Sequence, residues 1–191
     1  MNRAKTGVTQ LDHILDGGLP RKSLILVCGG PGTGKTILSC HFILEGARQG
    51  EQGLYVTFNE EKNSLIENLS GIGLPLQEMM TKNIVKVLDL LTIKEEGLSL
   101  TFELVLDEIE KTNANRLVID SFSTVSQAFD DKIQARIMLH SILRKILRQM
   151  ECTTIITSEG EDTSDSMEAY VSDGILVLRK RELDGRRIRE I

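Results

Sequence analysis

The chain has 191 residues, 40% of them apolar and 27% charged, with a formal net charge of −5. That suffices for one domain with a real core and falls short of two comfortable ones. The negative charge, and an aromatic content of 4% without Trp, argue against attraction to nucleic acid or anionic membrane and against a base-stacking platform.

In chain order, residues 24–28 are an apolar, strand-like run. Gly29-Gly30-Pro31-Gly32-Thr33-Gly34-Lys35-Thr36 follows and fits G-x-x-x-x-G-K-[ST], the phosphate-binding P-loop. Four glycines and a proline in eight residues suit neither helix nor strand. They suit a loop whose backbone N–H groups turn inward around an anion. Helix spacing runs over 35–49. Strand, glycine loop and helix together make Gly30, Pro31, Gly32, Thr33, Gly34, Lys35, Thr36 and Ile37 the expected phosphate-binding residues, with the helix N-terminus adding positive charge. Lys35 would neutralise β/γ-phosphate charge, and the Thr36 hydroxyl would ligate Mg²⁺.

Strand-like runs at 54–58, 84–88, 117–119 and 153–157 then alternate with helix-periodic stretches at 61–69, 100–112 and 132–150. The alternation predicts an α/β fold, a mostly parallel twisted sheet with helices on both faces. The helix at 132–150 pairs one apolar stripe with Arg136, Arg144, Lys145 and Arg148. A membrane-surface helix has that form, but so does a sheet-flanking helix with a solvated basic face, which is the expectation here. Residues 158–168, rich in Ser, Thr, Asp and Glu, read as the most flexible piece. Residues 174–181 and 186–191 flank Leu183-Asp184-Gly185 and read as a β-hairpin with an Asp-Gly turn.

Arg116-Leu117-Val118-Ile119-Asp120-Ser121 is an apolar strand ending in an acid, the form of a Walker B segment. Many buried strands end in Asp as a turn residue. Here, 84 residues after Thr36, Asp120 becomes the expected second Mg²⁺ residue. No N-K-x-D stretch exists to read guanine, so ATP is the expected nucleotide. No transmembrane-length apolar run and no signal-peptide core occur. Cys28, Cys40 and Cys152 are widely spaced and read as buried reduced thiols, which points to a cytoplasmic protein.

Beyond these motifs the chain resembles the KaiC-like ATPases of the RecA superfamily over nearly its whole length. Thr6-Gly7-Val8-Thr9-Gln10-Leu11-Asp12, running on to Gly17-Gly18-Leu19-Pro20, is similar to that family's opening segment. Tyr55-Val56-Thr57-Phe58-Asn59-Glu60-Glu61 resembles its V-T-F-E-E strand end. Ile155-Ile156-Thr157-Ser158-Glu159 resembles the strand end that senses the γ-phosphate, and Val171-Ser172-Asp173-Gly174 the V-S-D strand. The resemblance implies a RecA-type core with a strand inserted between those carrying the P-loop and Walker B. It also implies ATP with Mg²⁺ as ligands, Ser158 as a nucleotide-site residue, and a homo-oligomer of hexameric-ring type, with the 191-residue chain itself expected to be monomeric or weakly associated because it stops before the family's trans residues.

Three departures accompany it. The family's water-activating Glu aligns with Asn59, which cannot accept a proton, so Glu60 is the substitute base or hydrolysis is slow. Residues 1–191 form one ATPase domain that stops before the family's K-x-R-G segment, as a truncated piece or as a member without those trans residues. Arg186, Arg187 and Arg189 remain as basic candidates facing a neighbour, or are exposed hairpin charges. Ala169 and Tyr170 stand where autokinase domains carry a Ser-Thr pair, so the chain resembles the ATPase-type domain.

The expected function is a slowly hydrolysing ATPase whose nucleotide state controls assembly or the docking of an unidentified protein partner. A non-hydrolysing ATP-dependent interaction module is the alternative. A DNA-acting ATPase is disfavoured, because residues 158–173 carry six acids and no Lys or Arg.

Overall fold

The computed structural model describes residues 3–91, 98–127, 141, 151–160, 167–183 and 186–191. Its centre is a seven-stranded sheet: β3 (Leu24–Gly29), β4 (Gly53–Thr57), β5 (Val85–Asp89), β6 (Arg116–Asp120), β7 (Thr153–Glu159), β8 (Gly174–Leu183) and β9 (Arg186–Glu190). The order across it is β5-β4-β6-β7-β3-β8-β9. All neighbours pair parallel except β9, which returns antiparallel along β8. Strand β7 lies between β3 and β6, the insertion that the family resemblance implies.

The inner strands are near-continuous apolar runs because both faces are covered. Side chains alternate between two cores. Leu24, Leu26, Leu54, Val56, Leu117, Ile119 and Ile156 pack under α5 (Leu98–Thr112) and α6 (Phe122–Gln127), through Phe102, Val105, Ile109 and Phe122. Ile25, Val27, Tyr55, Val118 and Ile155 face the other way. There they meet α2 (Lys35–Arg48), α3 (Lys62–Ser70) and α4 (Leu76–Thr81), through Phe42, Ile43, Leu65 and Leu76. The same face takes Leu11 of α1 (Thr9–Ile14).

A two-stranded ribbon, β1 (Arg3–Ala4) with β2 (Leu19–Pro20), brackets α1. Asp12 of α1 accepts from the Thr6 amide at 2.7 Å and the Thr6 hydroxyl at 2.8 Å, so the opening Thr-Gly…Leu-Asp segment is a structural clasp. Asp173 does similar work at the start of β8, accepting from the Leu24 amide at 2.8 Å and so fixing where β8 joins β3.

The hairpin forms as expected, with Arg179 to Leu183 paired against Glu190 to Arg186, while turn residues 184–185 lie outside the described residues. The helix expected at 132–150 also lies outside them, Ser141 excepted. The expectation of one flexible piece over 158–168 needs correcting at its ends. Ser158 and Glu159 belong to β7, and α7 (Met167–Val171) begins at the other end. All three cysteines are buried, and none of them forms a disulfide. Burial alone pushes the Cys40 and Cys152 thiols up to about 12.

Candidate nucleotide site

Parallel α/β sheets bind ligands beyond the C-terminal ends of their strands. The glycine loop leaves β3 at that edge and enters α2. The turn starts at Gly29, whose φ of 154° and close fit leave no room for a side chain. A Cβ there would stand 2.3 Å from the Leu178 carbonyl oxygen. The Thr33 hydroxyl donates to the Gly30 carbonyl at 2.9 Å and closes the loop. Lys35 folds back over it, its Nζ donating to the carbonyls of Gly29 at 2.8 Å and Gly30 at 3.1 Å.

Alternation along the strands assembles the rest. Tyr55, Asp120 and Thr157 all project to the α2 side, and α2 brings Thr36 to them. Asp120 therefore accepts three hydroxyls: Thr36 at 2.8 Å and Tyr55 at 2.7 Å on Oδ2, and Thr157 at 2.6 Å on Oδ1. Burial first, and then the adjacent Asp120 carboxylate, hold the Tyr55 phenol well above its usual range. It remains a donor throughout the working pH range. Sequence reasoning found Thr36 and Asp120 but missed Tyr55. Period-two alternation puts Tyr55 on the face of Thr57, but that Thr57 is the register partner of Asp120 is set by the strand order, which the sequence does not display.

Strand β4 ends at Thr57, so Asn59 and Glu60 leave the extended geometry and diverge. Asn59 turns toward the Walker B segment, its Oδ1 accepting the Thr124 hydroxyl at 2.6 Å and the Ser121 hydroxyl at 3.4 Å. Glu60 turns toward α3 and accepts from Asn68 at 3.1 Å. Burial raises its carboxyl pKa, Asn68 opposes that, and the Asp120 charge reinforces it. Ser158 points to the opposite face of the sheet from Thr36. There it pairs with Ser123 at 2.9 Å and faces Glu168 at 3.4 Å, so its hydroxyl is not brought to the Asp120 cluster. Among the described residues no group of three or more His, Cys, Asp or Glu could hold a metal. The Thr36–Asp120 pair offers hard oxygen donors of the kind Mg²⁺ takes, in the small number it needs when phosphates and water complete its shell.

A glycine loop between β3 and α2, a carboxylate at the end of β6 and one strand between them define a P-loop domain of the RecA superfamily. The sequence model of the family described as "ATPase: KaiC" matches residues 4–191, and the chain belongs to that family. A "UPF0273 protein" of Aeropyrum pernix is 30% identical over 209 residues, covering 100% of this chain and 83% of its own. The "Circadian clock protein KaiC3" of Synechocystis is 28% identical over 204 residues, again covering 100% of this chain, which spans 40% of that protein's length. The crystal structure of a KaiC-like protein from Pyrococcus horikoshii superposes with a TM-score of 0.87 at 28% identity, covering 98% of this chain and 85% of that one.

Proposed function

We propose that this chain binds ATP with Mg²⁺ in its glycine loop, hydrolyses the ATP slowly, and signals its nucleotide state through assembly or the docking of a protein partner. One observation carries the reading: the Thr36 hydroxyl and the Asp120 carboxylate, 84 residues apart, meet at 2.8 Å at the start of α2. With Lys35 they are the charge complement of a triphosphate and its cation. The cation would neutralise phosphate charge. Lys35 would exchange its two loop carbonyls for phosphate oxygens, and Gly30 to Ile37 would supply amides and the positive helix end.

Slow turnover follows from Asn59 and Glu60. An amide takes no proton, and the Asn59 oxygen is already engaged by two hydroxyls. Glu60 has the raised pKa of a better base, but it is turned toward Asn68. The same engagement of Asn59 favours a second reading, a module that binds ATP without turning it over. In both readings residues 1–191 act as one domain in the cytoplasm. The chain forms a homo-oligomer of the ring type its family resemblance implies and takes no nucleic acid. Ser158 would act from the far face, relaying through Ser123 and Glu168.

The test is turnover by wild type, Asn59→Glu and Glu60→Gln. We expect a slow wild-type rate that Asn59→Glu raises by about 10²–10⁴-fold, the usual worth of a placed base. A brisk wild-type rate that Glu60→Gln abolishes would assign the chemistry to Glu60. Zero turnover with intact binding would leave the interaction module.

A further inference from the structure

The hairpin places Lys180 of β8 directly opposite Arg189 of β9. Side chains opposite one another in an antiparallel pair share a face. That face lies over the glycine loop of the same chain. Lys180 Nζ donates to the Pro31 carbonyl at 2.6 Å. The same Nζ is 2.7 Å from where a Cβ on Gly32 would stand, and Arg189 Cδ is 3.7 Å from where one on Gly34 would stand. A side chain on Gly32 would meet the Lys180 ammonium, whereas one on Gly34 would make only ordinary contact with Arg189.

Among the described residues the pair has no counter-charge. Neither Lys180 nor Arg189 forms an ion pair among the described residues, and the adjacent Glu190 is taken by Arg181 at 3.0 Å. Like charges facing each other across a hairpin are destabilising. Both side chains are exposed, and Lys180 reaches across to the loop apex rather than away from it. The same loop carries Lys35, whose Nζ bonds the Gly29 and Gly30 carbonyls, and runs into the N-terminus of the 14-residue helix α2. Three cations therefore lie against one loop, and only Lys35 belongs to the P-loop motif.

We propose that Lys180 and Arg189 are phosphate-binding cations of the nucleotide site, supplied by the chain's own hairpin. They would act on the polyphosphate of the nucleoside triphosphate that the loop holds, an inference that rests on the nucleotide reading above. Lys180 would exchange the neutral Pro31 carbonyl for a phosphate oxygen, a charge-assisted bond and the stronger of the two. An anion between the two cations turns their repulsion into attraction. This positive charge beyond the motif comes from the same chain as the loop.

The experiment is equilibrium binding of ATP-Mg, ADP-Mg and AMP to wild type, Lys180→Met, Arg189→Met, the double variant and Lys180→Arg, with ligand-free melting of each. Methionine keeps an unbranched chain and removes the charge. The double variant should lose at least about tenfold in ATP affinity, less for ADP and least for AMP. Lys180→Arg should stay close to wild type, and added salt should weaken wild type more than the double variant. Ligand-free melting of the single variants should hold level or rise, because a repulsion has been removed. Wild-type ATP affinity in the double variant would overturn the proposal and leave the P-loop reading intact. An equal loss for all three nucleotides, or a lowered ligand-free melting point, would make the pair a packing feature and also overturn it. Failure of wild type to bind any of the three would overturn the nucleotide reading itself.

Discussion

The two ends of strand β6 carry opposite charges with opposite kinds of partner. Arg116, at its start, is fully buried. It donates to the carbonyls of Lys5 at 2.6 Å and Phe42 at 2.7 Å, bonds the Glu51 carboxylate at 2.5 Å, and lies 4.6 Å from the Phe42 ring centroid. Asp120, at the other end, is held among the described residues by the side-chain hydroxyls of Thr36, Tyr55 and Thr157. A carbonyl of packed backbone cannot turn away from its donor, whereas a hydroxyl rotates about a single bond. Helix α2 spans both ends. Its first turn brings Thr36 to Asp120, and Gly46 lies so close to Arg116 that a Cβ there would stand 2.4 Å from the guanidinium Nε. One end is fastened so that the other can exchange its partners without moving the helix.

The largest expected effect tests the fastened end. Arg116→Ala leaves Glu51 with Arg21 alone and opens space beneath α2. Breaking a buried pair typically costs about 3–5 kcal/mol. In a chain of this size that is a fall in melting temperature of about 6–20 °C. Acid sharpens the same test. Burial pushes the Glu51 carboxyl up, but hydrogen bonds from Arg116 and Arg21 outweigh it and leave its pKa below the usual 4.5. A lowered carboxylate pKa contributes stability that is present above the unfolded value and lost as pH falls through the folded one. Wild type should therefore weaken on acidification below about pH 4.5, and Arg116→Ala should weaken less across that window. An Arg116→Ala protein that melts like wild type would show that β6 is not anchored there.

The next effect tests the exchanging end. ATP-Mg at a hundredfold excess over Kd should stabilise wild type by about 2.7 kcal/mol, or about 5–11 °C. Lys35→Ala should remove most of that shift while melting near wild type without nucleotide. A wild type that no nucleotide stabilises would leave the loop without its ligand.

Much of this was legible in the sequence. The inner strands announced themselves as apolar, β-branched runs, and their observed limits differ from the expected ones by one or two residues. Helices α1, α4, α6 and α7 were missed because each has only five or six residues, under two turns, and so shows no periodicity. Thr36 and Asp120 were legible as motifs. Their hydroxyl partners were not, because Tyr55 and Asp120 are 65 residues apart and meet through strand order. Arg116 was unreadable for a different reason. A lone Arg opening a strand reads as solvated, and only the packed fold shows it sealed against Glu51 and two carbonyls. The contact of Lys180 with Pro31 spans 149 residues and depends on the hairpin folding back over the loop.

The smallest effect separates anchoring from exchange most finely. Tyr55 is fully buried, and its phenol shares the Asp120 Oδ2 atom with Thr36. Tyr55→Phe keeps the ring in the core and deletes one bond to a charged group, a loss of about 1.5 kcal/mol. Melting should fall by about 3–6 °C, less than for Arg116→Ala, because the Thr36 and Thr157 hydroxyls remain on the carboxylate. The ATP-Mg shift should survive, since the phenol is sealed in the core and bonds Asp120. A cost as large as that of Arg116→Ala would mean both ends of β6 are equally fixed, and the contrast would fail. Loss of the ATP-Mg shift alone would make the phenol part of the binding site. A modest loss of stability with binding intact is what an exchangeable hydroxyl cluster requires: each donor contributes a little, and no single one is indispensable.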